Sequence, residues 1–349
     1  MSTLDDLLVK ASRTFALTIP LLDEDLRQAM SVAYLLMRNA DTLEDSYRID
    51  RRRRVQGLER FVELVASRDA DAAERWVTGW ADTEGFDDLD HHAVLMDTPR
   101  LLRDLDALGP PGAEIVAAHV VRVASRMAQW VARHDADNRL TLQGLRELDD
   151  YCYAVAGIVG EMITELVGLY AAELPLERLL FLRSVAVDFG AGLQLTNIVK
   201  DSWRDAQQGR NYVPVDFHPG DDGSHPERLR PIVLLALARL DQGIEFTCAL
   251  PVAERGVRLF CLLPLVLAAA TLREVHAHTD RLWAGEDVKI SREEVVDLLG
   301  ATHRAVDDNA AIRDLWSQIT DEVRRLRHAM SAWRPAPKAQ PTVRTTTAL

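Results

Sequence analysis

The chain has 349 residues, 48% of them hydrophobic and 27% charged, with a formal net charge of -13. That composition belongs to a soluble globular protein, and the length allows a large core. The negative balance excludes a nucleic-acid binder that works through a basic face, but not an anionic ligand, because a bound metal ion inverts the local field.

The three cysteines, Cys152, Cys248 and Cys261, form no CxxC pair and read as reduced thiols of a cytoplasmic protein. The opening MSTLDDLLVKASRTF lacks the basic start and apolar run of a secretory signal. The most apolar stretch, Leu259 to Leu272, is uncharged for fourteen residues. A spanning helix needs about twenty, so this stretch reads as a buried helix, kinked or begun at Pro264. Contact with a membrane surface stays open, and no transmembrane anchor is expected.

Apolar spacing at i, i+3 and i+4 recurs almost everywhere, and alternating β-branched runs are absent. The expectation is an all-α, single-domain helical bundle. A first helix covers about 2–9, and SRTFALTIPLL follows as a connector in which Pro20 can start the next helix. That helix runs over about 23–46 and ends in carboxylates. Arg51 to Arg54 open another, to about 66, and read as a solvated face. Further helices cover about 70–80 and 92–108, around an acidic loop at 82–90. His91 and His92 are adjacent, cannot share a helix face, and read as surface or core positions rather than metal ligands. Gly109-Pro110-Pro111-Gly112 is a strong turn. Helices follow at about 113–133, 142–170, 176–206, 229–250, 252–283 and 292–333, with a loop at 217–226. Residues 1–333 read as one catalytic domain and 334–349, rich in Pro and Thr, as a disordered tail.

Two stretches carry the chemistry. Between Phe189 and Asp216, Asn197, Asp201 and Asp205 fall four apart, so on a helix they line one face about 6 Å apart. Oxygen-bearing side chains in an apolar helix are poor for burial, and like charges at this spacing cost about 0.2–0.5 kcal/mol. A hard divalent cation would offset both. In Asp41-Thr42-Leu43-Glu44-Asp45 three carboxylates share one side, with Arg38 one turn before. Either cluster alone reads more readily as ordinary solvated helix surface. Together, each after an apolar stretch and each mixed with Arg or Lys, they fit Mg²⁺ ions bridging a diphosphate, whose remaining charge the basic side chains would take. A helical bundle leaves an apolar cavity under such a rim, suited to a hydrocarbon chain. Metal-assisted departure of diphosphate from an allylic carbon is the reaction this arrangement favours.

Four stretches, SRTF at 12–15, LLMRNADTLEDS at 35–46, YCYAVAGIVGEM at 151–162 and LQLTNIVKDSWRDAQQGRNYVP at 193–214, resemble the squalene/phytoene synthases over about residues 12–300. These are head-to-head prenyl transferases of the all-α isoprenoid synthase fold. The resemblance implies that Asp41, Glu44 and Asp45, with Asn197, Asp201 and Asp205, bind Mg²⁺ and the diphosphates of two prenyl substrates. It places Tyr151 in the catalytic set with Asp41, Asp45, Asp201 and Asp205, for proton transfer or cation steering. Ser12, Arg13, Arg38, Lys200, Arg210, Gln194 and Tyr212 match substrate-contacting positions, and the turn with Arg210 and Tyr212 reads as a flap over the diphosphates. On the residues alone, Tyr151 reads as a core tyrosine, Arg13 as a surface charge and Ser12 as an N-cap, while Gly157 and Gly160 serve close helix packing.

DTLEDS, YCYAVAGIVG, QQGRNYVP, and LFCLLPLVLAAATL followed by GEDVKISREEV look most like the squalene branch. That likeness implies farnesyl diphosphate as substrate, a cyclopropyl intermediate and reduction by NADPH, with Lys289 and Asn197 toward the cofactor. The next basic position of that segment reads Ser291, with Arg292 beside it, a departure from the family's pattern. Thr14 stands where Ser is common, and both offer a hydroxyl. The nearest alternative is a dehydrosqualene or phytoene synthase without NADPH. A non-catalytic helical assembly subunit is opposed by the intact acidic motifs, and a terpene cyclase by YCYAVAGIVG. No nucleic-acid partner is expected, and the protein reads as cytoplasmic, at most peripheral to a membrane.

Overall fold

The computed structural model describes residues 3–12, 14–171, 174–220 and 224–330, with backbone alone from 326 on. The tail at 334–349 lies outside the described residues. In chain order the helices are α1 (Leu4–Ala11), α2 (Phe15–Thr18), α3 (Glu24–Asp45), α4 (Arg51–Ser67), α5 (Ala70–Thr78), α6 (Leu89–Met96), α7 (Thr98–Ala107) and α8 (Pro110–Ala132). Then come α9 (Leu145–Cys152), a π-helical turn at Tyr153–Gly157, α10 (Ile158–Tyr170), α11 (Leu176–Gln207), α12 (Arg230–Ala249), α13 (Arg255–Ala277), α14 (Thr279–Trp283), α15 (Arg292–Ala305) and α16 (Asn309–Met330).

Local signals set many of these boundaries. Asp50 accepts from the Arg52 and Arg53 amides to start α4. Pro110 and Pro111 occupy the first turn of α8 after Gly109, whose φ of 78° suits glycine. Three expected helices are each divided in two. Asp97 parts α6 from α7, whose first turn holds Pro99. His278 parts α13 from α14. Residues 306–308 part α15 from α16, where the Arg258 Nε takes the Val306 carbonyl at 2.8 Å. Pro264 neither begins nor ends a helix but sits inside α13. The connector after α1 holds α2 and a 3₁₀ turn, Ile19–Leu21. Two strand segments also appear, each too short to show an alternation: β1 (Leu140–Thr141) pairs in parallel with β2 (Arg210–Asn211).

Helix α11 is central. It packs against α10, α12 and α13, while α3 packs against α8 and α10. Leu35, Leu36, Leu43, Phe61, Phe246 and Phe260 are among the buried side chains, each contributing about 1.5–3 kcal/mol through removal from water. By length and composition three helical stretches could cross a membrane: Leu145–Tyr170, Leu176–Gln207 and Arg255–Ala277. Between 50% and 78% of each apolar window is buried against other helices.

Helices α10 and α11 meet backbone to backbone. A Cβ at Gly160 would lie 1.9 Å from the Ala186 carbonyl oxygen, and one at Gly190 would lie 2.0 Å from that of Ala156. Gly160→Ala and Gly190→Ala are therefore expected to lose about 1–3 kcal/mol by overpacking, measured by urea unfolding. Gly300→Ala, inside α15 with only the flexible end of Arg304 near the new Cβ, should be neutral or gain up to about 1 kcal/mol.

Candidate active site

Helices α3, α8, α10, α11 and α13 enclose a cavity of about 390 Å³. Its wall is apolar, with Met30, Met37, Val159, Phe189, Phe260 and Leu267 among the lining residues. Its polar end is built from Tyr34, Arg38 and Asp41 on α3 and from Gln194, Asn197 and Lys200 on α11. The spacings i, i+4, i+7 on α3 and i, i+3, i+6 on α11 put each trio on one helix face.

The chain's own cations offset most of the carboxylates of the two acidic motifs. Arg38 pairs with Asp41, and its other nitrogen donates to the Tyr34 hydroxyl at 3.0 Å. Asp201 takes the Lys200 ammonium at 3.2 Å and the Arg204 guanidinium at 2.7 Å. Arg210 reaches Asp205 at 2.7 Å. Burial lifts the Asp205 carboxyl above the usual range, and Arg210 offsets part of that rise. Among the described residues Asp45 carries no ion pair. Its residue opens to solvent, yet crowding strips enough water, and Asp41 adds enough repulsion, to push its carboxyl up to about 7, against Arg210 and Arg38. Because Asp45 senses both Asp41 and Asp205, the two motifs share one electrostatic environment.

Glu44 differs from its neighbours. It is 3% exposed, and burial raises its carboxyl well above the carboxylate range, helped by Asp45 and Asp41 and opposed by Arg54 and the Tyr151 hydroxyl. It therefore belongs to a buried polar cluster behind the rim. Tyr151 and Tyr212 stack at 4.7 Å, and the Tyr212 hydroxyl lies 3.0 Å from that of Tyr47. Burial, with Glu44 close by, holds the Tyr151 hydroxyl protonated. Tyr151 is not among the residues that line the cavity. The turn after α11 is packed rather than a loose flap: Tyr212 and Val213 are buried, and Arg210 and Asn211 are held by the pairing with β1.

Other candidates fall as follows. Arg13 lies outside the described residues. The Ser12 hydroxyl accepts the Phe15 amide at 3.0 Å as a local turn bond, while Ser12 itself ends α1 and Thr14 precedes α2. Gln194 and Asn197 line the cavity. Lys289 is exposed and pairs with Asp287, whose carboxyl also senses Arg204 and Lys200. Ser291 accepts the Glu294 amide as the cap of α15. The four arginines at 51–54 are a solvated face only in part, with Arg52 and Arg53 exposed. Arg54 is fully buried, Arg51 donates to the His134 carbonyl, and Arg53 stacks on Trp80 at 4.9 Å. A guanidinium with a flat face and several donors can be buried where carbonyls and an aromatic ring meet it. Sequence reasoning missed Tyr34, whose hydroxyl donates to the Ala11 carbonyl at 3.1 Å. Its position one turn before Arg38 on the stripe leading to Asp41 was the available signal.

The donor set suits Mg²⁺, since all the rim ligands are hard oxygens. Among the described residues no three acidic, histidine or cysteine side chains converge on one point, so phosphate or water oxygens would complete such an ion's shell. Lys289, Arg204 and Lys200, grouped about Asp287, suit the phosphates of a dinucleotide.

The profile of the family described as squalene/phytoene synthase matches residues 8–294. The chain belongs to the squalene/phytoene synthase family. Squalene synthase ERG9 of Saccharomyces cerevisiae is 27% identical over 282 residues, 76% of this chain and 60% of that protein. Squalene synthase of Homo sapiens is 28% identical over 307 residues, 83% of this chain and 66% of that protein. The chain thus spans about 60% of the length of its yeast relative. The solved structure of TcSQS with the ligand E5700 matches with a TM-score of 0.76 at 24% identity, covering 93% of this chain and 90% of that one. A dehydrosqualene synthase in complex with a ligand matches at 0.57 and 18% identity, covering 85% and 93%. These matches and the helical architecture establish the isoprenoid synthase fold for this family member.

Burial of Glu44 has a pH signature. Because its folded-state pKa is raised, the folded metal-free protein holds a proton that the unfolded chain releases above about 4.3. Stability should fall as pH rises from there through the raised pKa. Glu44→Gln should lessen that fall, leaving the part due to Asp45 and Asp205, read from urea midpoints between pH 4 and 8 in EDTA; parallel pH profiles for the two proteins would contradict it.

Proposed function

We propose that the chain is a squalene synthase. Two farnesyl diphosphates join head to head, giving presqualene diphosphate, one diphosphate and a proton. Presqualene diphosphate and NADPH then give squalene, a second diphosphate and NADP⁺. The observation that carries this reading is the apolar cavity whose polar end joins Arg38 and Asp41 to Asn197 and Lys200. Such a cavity shelters a hydrocarbon chain and excludes water from an allylic cation, while its rim faces a diphosphate. The relatives named squalene synthase support the choice of product.

Arg38, Lys200 and Arg210 take charge on the departing diphosphate, trading their present carboxylate partners for phosphate oxygens. Mg²⁺, held by Asp41, Asp45, Asp201 and Asp205 with Asn197 beside them and Glu44 behind, supplies Lewis-acid stabilisation of the leaving group when bound. Tyr151, kept protonated in the buried cluster behind the rim, takes its assignment to proton transfer or cation steering from the family match. Gln194 completes the polar end, with Ser12 and Arg13 assigned to the diphosphate on their match alone. Lys289 and Arg204, with Asn197 on the same helix as Arg204, would hold NADPH, which would supply the hydride when bound. Action at the cytoplasmic face of a membrane suits an apolar product.

Incubation with farnesyl diphosphate and Mg²⁺, with products identified by mass, tests the reading. Squalene is expected only when NADPH is added; squalene formed without it, or dehydrosqualene as sole product with it, overturns the assignment. Asp41→Asn and Asp201→Asn should each lower turnover by about 10²-fold or more at an unchanged melting temperature. Wild-type turnover in either variant would remove that residue from the site.

A further inference from the structure

Arg54 is fully buried on α4 and makes no ion pair with a carboxylate among the described residues. It donates one nitrogen to the Glu44 carbonyl and another to the Asn138 side-chain oxygen. Glu44 lies in the last turn of α3, where carbonyls lack helical partners. Asn138 adopts φ 64° in the loop between α8 and β1, and its amide donates to the Tyr47 carbonyl. Two residues on, the Leu140 amide takes the Gly209 carbonyl at 3.1 Å, and the Leu142 amide takes that of Asn211 at 3.0 Å. The same loop therefore grips the end of α3 on one side and the segment bearing Arg210 on the other. The Tyr47 ring completes the connection, with the Arg54 guanidinium 4.9 Å and the Arg210 guanidinium 4.6 Å from its centre. Arg210 in turn holds Asp205.

We infer that Arg54 and Asn138 are positioning residues that set the spacing between the two acidic motifs, and thereby the affinity of the site for magnesium diphosphate. The inference rests on the proposed function. A second buried arginine supplies a comparison. Arg258 donates to the Leu250 and Val306 carbonyls and to Asn309, and the Asn309 amide donates to the Cys248 carbonyl at 3.0 Å. The chemistry is the same, but those contacts join α12, α13, α15 and α16 and touch no residue of either motif.

The test uses the full chain, with inorganic diphosphate titrated calorimetrically in excess Mg²⁺ and turnover measured on farnesyl diphosphate. Asn138→Gly keeps the left-handed backbone but loses both side-chain contacts. Arg54→Lys keeps the charge but loses the fork that reaches two acceptors. Each should weaken diphosphate binding and slow turnover by about 10- to 100-fold, the scale of loss from small misplacements. Asn309→Ala should lower the melting temperature comparably and leave diphosphate affinity unchanged. If Arg54→Lys does not fold, Asn138→Gly decides alone. Wild-type affinity and turnover in a folded Asn138→Gly, or an equal loss in Asn309→Ala, overturns the inference and leaves the proposed function standing. Failure of the wild-type chain itself to bind diphosphate with Mg²⁺ or to turn over farnesyl diphosphate overturns both.

Discussion

The constraint on which this protein depends is the confinement of like charges at the mouth of an apolar cavity. Asp41, Asp45, Asp201 and Asp205 share one electrostatic environment, and burial or crowding lifts two of them. Unit charges about 4 Å apart interact by about 1 kcal/mol in water and several times more near a protein surface. Such a group persists because Arg38, Lys200, Arg204 and Arg210 are interleaved with it. A site whose carboxylates and cations already neutralise one another is suited to a salt. A metal can take the carboxylates while phosphate takes the cations, and neither set is left unpaired.

The rest of the fold holds that mouth above a hydrocarbon-sized space. Backbone contact between α10 and α11 at Gly160 and Gly190 brings the central helices together. The π-helical turn at 153–157 shifts the register just before it, and Val155 and Ala156 line the cavity there. The rim is held less by helix packing than by a polar seam behind it, running from Arg54 and Asn138 through Tyr47 to Arg210 and Asp205. Tyr151 and Glu44 belong to this seam, so the groups that hold a proton are kept from bulk water.

Much of this was legible beforehand, for definite reasons. The i, i+4 rhythm of Asn197, Asp201 and Asp205 and the cluster at Asp41 need only helical geometry, so helix α11 and the end of α3 were placed within a residue or two. What periodicity cannot carry was missed. A single aspartate ahead of a proline-bearing first turn, or a single histidine, divides a helix without disturbing the apolar pattern, hence the joined α6 and α7 and the joined α13 and α14. Composition made Arg54 look solvated, because its burial depends on the Glu44 carbonyl and on Asn138, which lies 84 positions away. The packing of the turn that bears Arg210 and Tyr212 was hidden likewise, since β1 and β2 are two residues each.

The most direct measurement is calorimetric titration of the full chain with inorganic diphosphate, with and without Mg²⁺. Carboxylates and cations that release one another only to a metal and phosphate together require that each ligand tighten the other's binding by the same factor. The account predicts that reciprocal gain, with weak binding of either ligand alone. Independent binding, or diphosphate affinity indifferent to Mg²⁺, would contradict it.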